Sequence, residues 1–457
     1  MNLTKQGTRY QRMTEDKLYP LLWRMAVPSM IGMMVSSIYS MTDIFFVGLL
    51  GRTEFTASVG IVFSFISVIQ AIGFWFGYGS GNYISRQIGK KNFDEAENMA
   101  ATGFVLAIIV GMSILAGGFF LIRPLARFLG AGITSELMEA TVSYLRITLL
   151  SVPFMLASNV LYNELRLQGG AKDSMLGLLV GMLLNIILDP VFILVFDMSV
   201  AGAALASLIG QVTGLVILLI FLGKNDNVPI HLGKCKLDLF HIKEILTGGA
   251  PNFCRQGISS LATVLINQTA GMFGEACIAS VTIALRIISM GYALVIGFGQ
   301  GYQPVCAINY GAGKIHRVKT GFLYAFLTAT GFLFVASIII SINAETLIGC
   351  FSYISDVKMI GARLLRMQCL VLPFMGYYIL IGMLLQNIGK FGLATLVTIA
   401  ENGFFLIPAV LILPRIGGLD GLVLCNPAAS ACALIFSLFI GTNAFKKYLT
   451  TKEIGGD

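Results

Sequence analysis

The chain has 457 residues, of which 56% are hydrophobic and 12% charged, with a formal net charge of +8. So apolar a composition excludes a string of soluble domains, because runs of about 20 apolar residues, the length that crosses a hydrocarbon core, recur from end to end. The same runs exclude a transmembrane barrel, whose strands would alternate in hydrophobicity over about ten residues.

Twelve spans are predicted, near 19–48, 55–83, 99–122, 138–163, 174–197, 200–222, 242–272, 277–307, 320–344, 358–385, 391–414 and 418–444. The fold class is therefore an all-α membrane protein with twelve transmembrane helices. Ahead of the first span the chain is polar and carries Lys5, Arg9, Arg12 and Lys17, so no cleavable signal peptide is expected. With the N-terminus inside, twenty Lys or Arg fall on the cytoplasmic side, counting Lys243 at the inner end of span seven. Only Arg52, Arg123, Arg127, Lys358 and Arg415 fall on the outer side. This positive-inside bias places both termini in the cytoplasm and accounts for the net charge without a nucleic-acid partner.

The chain repeats itself. Ala26-Val-Pro28 in span one returns as Gly249-Ala-Pro251 in span seven, and Gly77-Tyr-Gly79-Ser-Gly81 returns as Gly297-Phe-Gly299-Gln-Gly301. Val152-Pro153-Phe154-Met155 matches Leu372-Pro373-Phe374-Met375, Leu167-Gln168 matches Leu385-Gln386, and Pro190 falls opposite Pro408. Six spans per unit is an even number, so both halves insert with the same orientation and form a parallel repeat. The expected domains are a six-helix lobe at 1–223, a polar cytoplasmic linker at 224–241 and a second six-helix lobe at 242–457. The Gly-x-Gly-x-Gly stretches lie inside apolar spans with no strand before them, so close helix packing is expected there rather than phosphate binding.

Ionisable groups inside spans are costly and therefore mark function. Span five carries Asn185 and Asp189 one turn apart on one face, followed by Pro190, which removes a backbone donor and frees a carbonyl. Span one carries Asp43, span four Tyr144 and Arg146, span six Ser207 and Gln211. At about 1.5 Å per residue, Asp43, Tyr144, Asp189 and Ser207 reach a similar depth in the outer half of the bilayer. In the second half Arg255, Arg286, Glu401 and Asn402 are the candidates for a substrate cavity, together with Arg146 and Gln211 in the first. Two of these have alternatives: Arg146 as a partner of Asp189, and Arg255 with Arg286 as partners of Glu401. By the repeat, Asp189 and Asn185 fall opposite Ile407 and Gly403, so the polar pair belongs to the first half alone.

All eight cysteines follow residue 230 without a CxxC pair, and His231, His241 and His316 lie in loops without ligand spacing. They are expected to be packing and loop residues, so no metal beyond Na+ and no cofactor is expected. An intramembrane enzyme would need a nucleophile–base set, and no span carries a histidine to build the commonest ones.

With the Pro of spans one and seven, Asp43-Ile-Phe-Phe-Val-Gly48, Asn185-Ile-Ile-Leu-Asp189-Pro190 and Val200-Ala-Gly-Ala-Ala204, the chain resembles the multidrug and toxic compound extrusion family, in its bacterial multidrug exporter branch. The resemblance covers all twelve spans. It implies two six-helix bundles forming a V, in a bacterial inner membrane, exporting drugs and organic cations in exchange for H+ or Na+. It carries a first-half cation site onto Asp43, Tyr144, Asn185, Asp189 and Ser207, where the family can have Thr. Pro28 and Pro190 are the expected hinges, and a monomer among membrane lipids the expected state. The chain departs from some relatives in the second half, where Glu401 is the one carboxyl in mid-span. The alternative function is a flippase for lipid-linked saccharides or other lipids, which would line its cavity with several cations.

Overall fold

The structure is a computed structural model describing residues 3–224 and 227–450, with the side chains of 3–8 and 37–45 outside the described set. Every regular element among the described residues is a helix. Contacts divide the chain into two compact units, residues 1–15 with 31–249 and residues 16–30 with 250–457.

The first unit begins with α1 (Leu3–Glu15) and contains the later part of α2 (Leu18–Gly48). There follow α3 (Thr53–Gly89), α4 (Phe93–Phe120), the short α5 (Ile122–Leu129) and α6 (Ser135–Leu167). The unit continues with α7 (Ala171–Pro190), α8 (Ser199–Leu222) and the start of α9 (Leu239–Gly271). α6 is its central helix, packed against α3, α4, α7 and α8. Small residues let the backbones close on it: a Cβ at Gly111 of α4 would meet Pro153, and one at Gly77 of α3 would meet the carbonyl of Asn159. Beyond Pro190 the chain passes into a π-helical turn, Val191–Val195, where the proline has removed a donor from the ladder.

The second unit holds the rest of α9, then α10 (Glu275–Gly311), α11 (Ile315–Ile342), the short α12 (Ala344–Gly349) and α13 (Ser355–Cys369). It ends with α14 (Met375–Asn387), α15 (Phe391–Ile399), a π-helical turn Ala400–Leu406 and α16 (Ile407–Tyr448). The repeated Pro-Phe-Met motif has two outcomes. Pro153 lies inside the continuous α6, whereas Pro373 sits in a single 3₁₀ turn that bends α13 against α14 by 45°. α16 is broken at Gly418, whose φ of +56° lies outside the helical region.

Nine helices of the described residues are long and apolar enough to cross a membrane, ten when the bent α13–α14 pair counts as one. Two further features bear on the expected twelve. α9 has 33 residues but is too polar to pass the same test, carrying Arg255, Asn267 and Gln268. The apolar stretch Phe391–Tyr448 contains 58 residues, about 87 Å at about 1.5 Å per residue, far beyond one bilayer crossing.

The two units depart from the expected domain boundaries at two helix starts. Residues 16–30 belong with the second unit, and the first turns of α9, to Gly249, with the first. The Gly-x-Gly-x-Gly stretches are where these starts pack. In the second unit a Cβ at Gly297 would lie 2.8 Å from Met30 Cα, and one at Gly301 would collide with Ala26. In the first, Cβ atoms at Gly79 and Gly249 would collide with the backbones of Ile245 and Trp75, and the Trp75 indole donates to the Leu246 carbonyl at 2.7 Å. Pro28 and Pro251 lie within three residues of the two crossing points.

The linker is pinned to the first unit rather than loosely solvated. Val228 N–H donates to Gln168 Oε1 at 2.8 Å, and Lys234 pairs with Glu97 at 2.8 Å and Asp94 at 3.0 Å. His241 is buried, with its ring nitrogens 2.7 Å from Asp238 Oδ1 and 3.0 Å from Glu95 Oε1.

Candidate functional site

α7 and α8 meet along a seam of glycines. Gly177 and Gly181 share one face of α7, Gly210 and Gly214 one face of α8, each pair four residues apart. A Cβ at Gly210 would lie 2.7 Å from the Gly181 carbonyl oxygen and 3.1 Å from Asn185 Cβ. Because the backbones approach so closely, short polar side chains one turn further along can touch. Asn185 Nδ2 donates to Ser207 Oγ at 3.2 Å across the seam and lies 3.4 Å from Asp189 Oδ1 one turn along its own helix. Asn185 and Asp189 are buried, and Ser207 is half-buried. Asn185 Oδ1 is buried and accepts no hydrogen bond from any described residue. A buried carbonyl oxygen without a donor is an open ligand position for a cation.

Tyr144 reaches the same region from α6. It belongs to a buried cluster with Val47, Ile193 and Ala203. Val47 lies four residues after Asp43, Ile193 four after Asp189 and Ala203 four before Ser207. Four helices thus converge one turn from the polar group. The Asp43 side chain itself lies outside the described residues.

The other first-half candidates lie elsewhere. Arg146 is exposed and forms no ion pair with a described residue, because it sits two residues from Tyr144 and so on the opposite face of α6. The expected alternative, a structural Arg146–Asp189 pair, is not formed among the described residues. Gln211 is half-buried, and its backbone carbonyl accepts from Ser158 Oγ at 3.4 Å.

In the second unit the π-helical turn carries Glu401 and Asn402. Such turns concentrate at functional sites because they re-aim side chains out of helical register. Glu401 Oε1 accepts from Tyr378 Oη at 2.6 Å and Ser430 Oγ at 2.8 Å. A cavity of about 170 Å³ is lined by Arg255, Tyr292, Gln368, Glu401, Asn402 and Asn426, among others. Gln368 Oε1, in that lining, is buried without a hydrogen-bond partner. Arg255 borders the cavity but forms no ion pair with Glu401 among the described residues, and Arg286 is exposed. The expected Arg255–Glu401 and Arg286–Glu401 pairs are therefore absent there, and hydroxyl groups hold Glu401 instead. Tyr378, Ser430 and Gln368 were not legible as site residues. Their signal is the placement of α13, α14 and α16 around the same cavity and π-helical turn, which a single sequence does not give.

The MatE family model matches the chain twice, over residues 28–191 and 251–411. Each match covers one half of the internal repeat. The chain is 28% identical over 428 residues to the multidrug export protein MepA of Staphylococcus saprophyticus, covering 93% of this chain and 94% of that one. It is similar to a solved structure described as the outward-facing conformation of a multidrug resistance MATE family transporter of the MOP superfamily, with a TM-score of 0.86 and 27% identity over 95% of this chain and 97% of that one. A MOP superfamily transporter from Pyrococcus furiosus, whose reversed pocket polarity is said to suggest a different function, matches with a TM-score of 0.84 and 27% identity over 95% and 98%.

Proposed function

The chain belongs to the MatE family, a multi-pass membrane transporter and not an enzyme, and from that premise we propose that it is a secondary active multidrug efflux antiporter. It exports organic, mostly cationic or amphiphilic, compounds in exchange for H+ or Na+ by alternating access. Twelve helices in two six-helix repeats carry this out, with α9 supplying one span and Phe391–Tyr448 two, divided at Gly418. The lobes follow the repeat halves 1–223 and 242–457, apart from the helix start 16–30, grouped with the second, and the start of α9 to Gly249, grouped with the first, and both termini face the cytoplasm of a bacterial inner membrane.

The observation that carries the reading is the buried Asn185–Asp189–Ser207 group with its open Asn185 oxygen. Asp43, Tyr144, Asn185, Asp189 and Ser207 form the coupling site. A Na+ ion finds oxygen ligands there, and a proton finds a carboxyl; either one neutralises buried charge. Neutralisation lets α2 bend near Pro28 and α7 near Pro190. The cation drives export only if this bending lowers drug affinity in the outward state, because a ligand shifts a conformational equilibrium by its differential affinity alone. In the second unit, Glu401, Asn402 and Arg255 contact the drug in their cavity.

The test is efflux of a fluorescent organic cation from proteoliposomes, with ΔpH and Na+ gradients imposed separately. Efflux against a concentration gradient under one of them supports the reading and names the coupling ion. Efflux under neither sinks it. A lipid flippase would need a cavity of several cations. The second-unit cavity instead balances Arg255 with Glu401, which favours the drug exporter.

A further inference from the structure

The fourth predicted span ends at 163, one residue short of Glu164. α6 continues helical to Leu167, and the Glu164 side chain is fully buried. Neither of its carboxyl oxygens has a well-formed hydrogen bond among the described residues, and the Ser80 hydroxyl lies beside the carboxyl. The group fits only because α4 offers a glycine: a Cβ at Gly103 would lie 2.6 Å from Glu164 Oε1 and 2.9 Å from Ser80 Oγ. Ser80, the polar neighbour from α3, donates its hydroxyl proton to the Phe76 carbonyl at 3.0 Å.

The charges on the surrounding helices are engaged elsewhere. On α3, Arg86 pairs with Glu244 of α9, and on α4, Glu95 contacts Tyr83, Asn98 and His241. On α6 itself, Arg166 donates to Asn163 Oδ1 at 3.0 Å and stacks over the Tyr78 ring, and Tyr162 lies two residues back on another face. No described ion pair includes Glu164. A carboxylate removed from water without a counter-charge costs several kcal/mol, whereas the neutral acid does not carry that penalty. At the same helix ends, both polar atoms of Asn82 and Nε2 of Gln168 are also buried without partners. Buried polar atoms of this kind are satisfied by water wherever water can reach them.

We infer that Glu164 is a second proton-binding site of the first unit, protonated in this conformation and deprotonated to the cytoplasm when the facing ends of α3, α4 and α6 part. The proton leaves to water, and the carboxylate formed is solvated by the same water. Glu164 falls opposite Gly382 in the repeat, so this acid, like Asp189, is an addition to one half of a shared scaffold. The side of release rests on the proposed orientation of the exporter; the bound proton does not.

Infrared spectroscopy of the purified full-length chain in lipid reads the bound proton directly. The carbonyl stretch of a buried neutral acid should be present in the wild type and in Asp189→Asn, and lost in Glu164→Gln, which keeps the shape of the protonated side chain. Identical spectra for wild type and Glu164→Gln would overturn the assignment. Ser80→Ala gives a second reading should Glu164→Gln not fold: it should shift the band in frequency, and an unshifted band counts against the site. In proteoliposomes Glu164→Gln should slow pH-driven efflux by about tenfold, with thermal stability retained, and unchanged efflux at every pH would overturn the release step. A wild type without ion-driven efflux would defeat the exporter reading while leaving the infrared result standing.

Discussion

Asn185 on α7 and Ser207 on α8 are joined at 3.2 Å across a seam that Gly181 and Gly210 hold narrow. The hydrogen bond and the glycines are one device. A wider seam would leave the Asn185 amide short of Ser207 and loosen the site around Asp189.

Gly210→Ala should therefore destabilise the protein by about 1–3 kcal/mol, because the added methyl has no room against the Gly181 carbonyl. Thermal unfolding in detergent reads this. Gly60→Ala, with nothing within 4 Å, is the matched control and should be neutral or slightly stabilising. Equal melting temperatures for both variants would refute the tight seam.

Asp189→Asn should express and fold normally but lose ion-driven efflux, since it fixes the side chain in a neutral form that no longer exchanges its cation. Drug binding to the purified variant should persist. Efflux at the wild-type rate would remove Asp189 from the coupling site.

In the second unit, Tyr378→Phe deletes one of the two hydroxyl donors to Glu401 and should cost about 1–3 kcal/mol of stability. Glu401→Gln retains an oxygen acceptor for both hydroxyls. It should raise KM for organic cations while leaving the choice of coupling ion unchanged. A variant whose coupling ion changes would move Glu401 from the drug cavity to the ion site.

The linker should respond to acid. The backbone N–H and the ring of His241 hydrogen-bond Asp238 and hold its carboxyl below the usual range. A depressed carboxyl stabilises the docked state above its unfolded value, about 3.9, and that contribution is lost as pH falls through the folded value. Hydrogen exchange at the start of α9 should accelerate below about pH 4. Asp238→Asn should exchange faster at neutral pH and lose the acid dependence.

Much of this arrangement was legible in the sequence, for definite reasons. Apolar run length is a local property, so most spans were found. The repeat was visible because Pro and Gly serve backbone needs that no other residue meets. Asn185 and Asp189 stood out because polar residues are rare in apolar runs and four-residue spacing fixes their face. What was missed depends on distant contacts. Arg146 pairs with nothing described because its face of α6 points away from Tyr144, and direction without a neighbour is ambiguous. Glu164 was hidden by a span boundary set from hydropathy, which counts a carboxyl as the end of a helix even where a glycine on another helix makes room for it. The same local counting reads 224–241 only as a polar linker, although Val228 and His241 are buried.

The exchanged helix starts have a consequence for synthesis. Residues 16–30 are made early in synthesis, yet they belong to the unit whose remaining chain begins only at residue 250. The first unit, conversely, is incomplete until Gly249 has been made. Neither half of the repeat should therefore mature alone. A chain severed in the linker should yield two fragments that accumulate only when produced together, each completing the other with one helical segment.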